Sequence, residues 1–238
     1  GSIYPEEPLF TDEQLPAKLI SKTIKDINQL SLTFPVPSLT EHYQSKPDRY
    51  ITNILGHEGP GSLHAYLNEK GWIESLGAGS QSFDKNTSLI VINIAMTNQG
   101  AEKTDQIIGA VFQYINFLRE QPLLESLYDE QASLADLEFQ FVESASPIGV
   151  VYSLAPKLSE TIVEDLLIAP YLMKEFQPKK IKEYLDLLTQ KNVLVEISSK
   201  TARTTDTEQW FEVPYKLELG EISISRVEDF TPLLPTTN

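Results

Sequence analysis

The chain has no cysteine in its 238 residues, so disulfides, thiolate metal sites and cysteine nucleophiles are all excluded. The redox compartment stays open as a result. Histidine is scarce as well: His42, His57 and His64 are the whole supply for any imidazole metal centre. Basic residues are few, with 19 Lys and Arg against 34 Asp and Glu and a formal charge of -15. Such a surface repels phosphate backbones and anionic lipid heads, so neither nucleic acid nor membrane is an expected partner. No apolar run approaches the ~18 residues of a spanning helix. Nothing near the start has the layout of a signal peptide, and Gly1-Ser2 has the form of a cloning scar. An excised piece of a longer protein is therefore expected.

What is present is ordinary for a globular chain: 41% hydrophobic and 22% charged residues, enough for a sizeable core without a staple. Residues 4 to 22 are rich in proline and acids, and they read as a connector ending in a short amphipathic piece. Leu30, Leu32 and Phe34 then alternate as in a half-buried strand, which Pro35 and Pro37 end. Ser45 and Asp48 have capping-box spacing before a helix that carries Tyr50, Ile51, Ile54 and Leu55 on one face. Gly59-Pro60-Gly61 breaks that helix, and Ser62 is placed to cap a second one running to Gly71.

Two strands are expected at Trp72 to Phe83 and Thr87 to Thr97, the second lying centrally. Two long helices follow, one with Ile107, Ile108, Val111, Phe112, Ile115 and Leu118 as its buried stripe. The other is expected to bury Leu124, Leu127, Gln131, Leu134, Leu137 and Phe141. Pro147, Pro156, Pro170 and Pro178 punctuate shorter helices up to Leu188, and Val193, Val195 and Ile197 mark a further strand. This order gives an α+β class, a mainly antiparallel sheet layered with helices. The expected division is a scar and interdomain connector over 1–22 and a single domain over 23–238.

"LGHEGPGSL", residues 55 to 63, proposes chemistry. His57 and His64 stand seven residues apart across Gly-Pro-Gly, which destroys the helical register that would aim both rings at one zinc ion, and His42 precedes the helix in a loop. "GPGSL" and "GAGSQ" miss a serine-nucleophile elbow by one place. Gly56 to Gly61-Ser62 imitates a phosphate loop but lacks the lysine, and Glu58 would repel the phosphate. Continuing the helix brings Glu58 onto the apolar face, as an acid either held by backbone amides at the kink or facing a ligand. "SLGAGS", residues 75 to 80, lies in an expected strand yet is nearly bare of side chains. Either it bulges, or it is a sheet edge open to pairing with an extended peptide.

Residues 34 to 82, from "FPVPSLTEHYQ" through "GHEGPGSLHAYLNEKGWIESLGAGSQS", resemble the start of the second domain of the insulinase and pitrilysin zinc metallopeptidases. "VFQYINFLRE", "APYLMKEFQPKKI" and "EQWFEVPY" extend the likeness over Tyr4 to Tyr215. The resemblance implies the sheet-and-helix fold of the metallohydrolase domains in that family and in the mitochondrial processing peptidases. It implies a catalytically silent domain, since the inverted zinc motif His-x-x-Glu-His is absent, with zinc held by a preceding catalytic domain of the same polypeptide. It also implies peptide substrates, further domains downstream and, from the pitrilysin side, a periplasmic location, with a cytoplasmic one as the alternative. In insulin-degrading members the segments matching Gly56, Glu58, Leu76, Gly77, Ala78 and Gly79 anchor the N-terminal part of the substrate by strand addition. Asn53 stands where a histidine is familiar, and Ala78 replaces a glycine. A purely structural scaffold without substrate contact is the alternative.

Overall fold

A computed structural model describes residues 9–11, 13–143, 169 and 171–236. Its centre is a sheet that, among the described residues, has seven strands: β1 (Ala17–Lys22), β2 (Asn28–Pro37), β3 (Ile73–Ser82), β4 (Thr87–Met96), β5 (Leu194–Ser199), β6 (Asp206–Thr207) and β7 (Pro214–Leu219). They lie in the order β3-β4-β2-β5-β1-β7-β6. All neighbours are antiparallel except β1 and β5, which run parallel. The expected α+β class therefore holds.

Period-two alternation gives the sheet two unlike faces. Leu30, Leu32, Phe34, Ile90, Ile92, Ile94, Leu76 and Val195 point to one side and are buried there. On that side sit α1 (Pro47–Leu55), α2 (Leu63–Glu69), the short α3 (Asn98–Ala101), α4 (Thr104–Glu120), α5 (Glu125–Glu143) and α6 (Pro178–Asp186), and their apolar stripes complete a single core. Helix α4 supplies more of it than any other helix, with Ile107, Ile108, Val111, Phe112 and Ile115 all buried as their spacing required.

Several expectations need correction. The end of the connector is strand β1, held between β5 and β7. Over six residues, Ala-Lys-Leu-Ile-Ser-Lys fits a strand as well as an amphipathic helical turn, and only the two partner strands decide. Pro35 and Pro37 lie inside β2 and do not end it. Strand β5 stops pairing at Thr33, so neither proline removes a ladder bond on that side. Ser45 does not cap α1: Lys46 occupies the cap in the left-handed region, Ser45 Oγ donates to His42 O, and Pro47 at the first position sets the start. In α5 the buried stripe is Leu127, Tyr128, Gln131 and Ala135, whereas Leu134 and Leu137 are about half exposed. That helix lies at the border of the layer, so a narrower stripe suffices. The side chain of Phe141 and the proline-punctuated stretch at 147 and 156 fall outside the described residues, as does Pro170.

The segment after β7 forms no strand but straps the helices. Ser225 N donates to Asp105 O at 3.0 Å, Phe230 stacks on Tyr66 at 4.5 Å, and Leu233 N donates to Gly61 O at 2.9 Å.

Candidate peptide-binding edge

The motif at 55–63 is a turn in which each part has a structural reason. Helix α1 ends at Leu55, and Gly56 caps it by donating to Thr52 O at 2.9 Å. A Cβ on Gly56 would lie 3.4 Å from Ala78 N, so glycine here lets the helix end sit down on the backbone of β3. Gly61 has φ +75°, and the side chain of Leu233 packs where its Cβ would be. Ser62 Oγ then accepts from Ala65 N at 3.0 Å and starts α2, as the sequence indicated.

Glu58 departs from expectation. The helix ends three residues before it, so it does not continue the apolar face of Ile51, Ile54 and Leu55 and is exposed. Its carboxylate has no hydrogen-bond or ion-pair partner among the described residues. A buried Glu clamped by backbone amides at the kink is therefore not what forms.

Strand β3 is an edge of the sheet, paired on one side with β4 and on the other with no described strand. The register is regular from Ser75 to Ser82, and its irregularity lies earlier, between Ile73 and Ser75. A bulge therefore does not account for the glycines at 77 and 79. Leu76 points into the core, and Ala78 is half-buried against Gly56. Gly77 and Gly79 face the other way with no atom within 4 Å of an added Cβ, and neither has a positive φ. Neither packing nor backbone geometry asks for glycine there.

Of the six sequence-assigned residues, Gly56 lies against Ala78, Leu76 to Gly79 belong to the edge strand, and Glu58 is exposed two residues beyond Gly56 in the turn. Asn53 lies half-buried on α1. Sequence reasoning missed Asp48, which accepts a hydrogen bond from Ser80 Oγ and ties the edge strand to the start of α1. An acid in a first helical turn signals a cap before it signals a cross-element bond, so nothing in the chain order pointed to Ser80. A larger cavity, about 850 Å³, opens between Phe10, Pro16, Val36 and Ile222 and contains none of these residues.

The histidines do not build a metal centre. His57 folds over Gly59, His42 packs edge-on against Tyr184 at 5.8 Å, and His64 lies on α2. No group of three or more His, Cys, Asp or Glu that could hold a metal ion comes together among the described residues. These residues do not fit the zinc of the resembled family.

The family model described as "Peptidase M16 inactive domain" matches residues 3–134, more than half of the chain. The chain belongs to the M16 peptidases, the insulinase and pitrilysin family. A second model, described as the middle or third domain of M16 peptidases, matches 139–231 of this M16 chain. Human insulin-degrading enzyme is 37% identical over 217 residues, which are 90% of this chain and 21% of that enzyme. The A-factor-processing enzyme of Saccharomyces cerevisiae is 30% identical over 212 residues, 89% of this chain and 21% of that protein. Among solved structures, pitrilysin superposes with a TM-score of 0.83 at 25% identity over 89% of this chain and 23% of its own. The M16 chain therefore spans about a fifth of the length of these relatives. No helix among its described residues is long and apolar enough to cross a membrane.

Proposed function

We propose that this M16 chain is a non-catalytic part of a zinc metalloendopeptidase and that its β3 edge anchors the N-terminal part of peptide substrates. The observation that carries the reading is the pair of glycines at 77 and 79, bare on an edge with no partner strand among the described residues, where the described fold has no use for them. A strand edge with no side chains in the way accepts an extended peptide through its free N–H and C=O groups. Glu58, exposed three residues beyond α1 and without a partner among the described residues, supplies a carboxylate for a free α-amine. The open face of the sheet would then wall the reaction chamber. Zinc and bond cleavage are assigned to a preceding catalytic domain of the same polypeptide, with further domains downstream. A periplasmic setting for the parent is the expectation of the family resemblance, and eukaryotic relatives such as human insulin-degrading enzyme leave other locations open.

The test is a titration of the chain with a labelled peptide whose N-terminus is either free or acetylated, read by fluorescence polarisation. The free peptide should bind at least about tenfold more tightly, and Glu58→Gln should remove the difference. Equal binding of both peptides would sink the amine anchor. It would favour a scaffold that meets no substrate.

A further inference from the structure

The face of the sheet turned away from the helices holds a second feature that the edge reading does not use. Across it runs a straight row in register: Glu196 of β5 lies opposite Ser31 of β2, Ser31 opposite Asn93 of β4, and Asn93 opposite Gly77 of β3. At ~4.8 Å per strand, Glu196 sits about 14 Å from the bare edge. Among the outward positions of β1, β2, β4 and β5 it is the only ionisable side chain. In a chain with 22% charged residues, one carboxylate on such a face is a conspicuous placement.

Glu196 is half-buried and has no hydrogen-bond or ion-pair partner among the described residues. Burial pushes its carboxyl above the ordinary range, with no cation among the described residues pulling it back. An uncompensated carboxylate in this position costs stability, so its neighbours are informative. It lines a groove of about 480 Å³ with a polar floor of Ser31, Thr33 and Asn93 and apolar walls that include Phe10 and Phe83. Ser31 Oγ donates to Asn93 Oδ1 at 3.0 Å, so the Asn93 amide still has its N–H groups to offer a peptide carbonyl. Gly79 forms the groove's outer lip.

We infer that this groove is a subsite for a basic side chain of an extended peptide, with Glu196 as the residue that selects arginine or lysine. Apolar walls take the aliphatic stem, an aromatic ring can face the cation, and the carboxylate at the groove's inner end pairs with it. The occupant follows from charge: a desolvated anion that is the only ionisable outward residue on β1, β2, β4 and β5 is complementary to one desolvated cation. The inference rests on the reading that peptides meet this face, but not on strand pairing or amine capture at the edge.

The experiment uses the same 238-residue chain and two short peptides with acetylated N-termini, identical except for arginine or citrulline at one central position. Acetylation removes the Glu58 contact from the comparison. The arginine peptide should bind about tenfold more tightly than the citrulline peptide. Glu196→Gln, which keeps the volume and removes the charge, should bring that ratio close to one and leave the citrulline affinity unchanged. A ratio of one in the unaltered chain would overturn the inference, and so would a preference that survives Glu196→Gln. Because blocked peptides report only on the groove, failure here is distinct from failure of the amine anchor, which free N-termini and Glu58→Gln report.

Discussion

At Gly77 and Gly79 an added Cβ meets open space, whereas at Gly109 it would lie 1.9 Å from Ser225 O. The three glycines therefore predict opposite mutational outcomes. Alanine at 77 or 79 should leave stability unchanged or raise it by roughly 0.5–1 kcal/mol, because an alanine in a strand loses less entropy on folding. Gly109→Ala should destabilise by at least about 2 kcal/mol, since the backbone of the strap must move away from α4. Urea unfolding of the three variants checks this. A large loss at 77 or 79 would mean that those glycines serve the fold after all, and the edge reading would lose its chief support.

Among the elements, the turn between α1 and α2 depends on Ser62, which is almost fully buried while its hydroxyl caps α2. Ser62→Ala should cost about 1 kcal/mol and fray the first turn of α2, visible as faster amide exchange at Ala65. This cap was legible in the sequence because serine followed a helix-breaking Gly-Pro-Gly. Strand β4 and helix α4 were legible too, since their apolar spacing holds over ten residues or more. Strand β1 was not, because six alternating residues fit two periods and its parallel partner β5 lies far along the chain. Leu134 and Leu137 misled for the converse reason: a helix at the border of a layer buries fewer positions than its apolar residues offer. Of the assigned site residues the structure sets Gly56 against Ala78 of the edge strand, whereas Glu58 was misplaced by extending α1 past its cap. Glu196 gave no signal at all. A single acid in a strand looks solvent-facing until the register of four strands shows what surrounds it.

For the whole molecule, the aromatic core sets an alkaline limit. Burial pushes the phenols of Tyr128 and Tyr184 up to about 12, and those of Tyr50, Tyr66 and Tyr114 are also raised. In the unfolded chain these groups titrate near 10, so they lose protons there first. A raised folded value means that the contribution is fully present below pH 10 and is lost as pH rises from 10 towards 12. From Tyr128 and Tyr184 alone the slope is up to about 3 kcal/mol per pH unit. Thermal unfolding should therefore be flat through pH 9 and fall steeply above 10. A midpoint that does not move between pH 9 and 11 would contradict the buried phenols.

The strap that ends at Leu233 also fixes when the Glu58 turn can mature during synthesis. Leu233 bonds to Gly61 and fills the space beside it, so the turn is closed by residues made long after it. Contacts so distant in sequence form late, after their loop-closure entropy has been met. A nascent chain emerging from a ribosome therefore holds the Glu58 turn open until residue 233 is free, and the proposed anchor is complete only once that stretch has folded back.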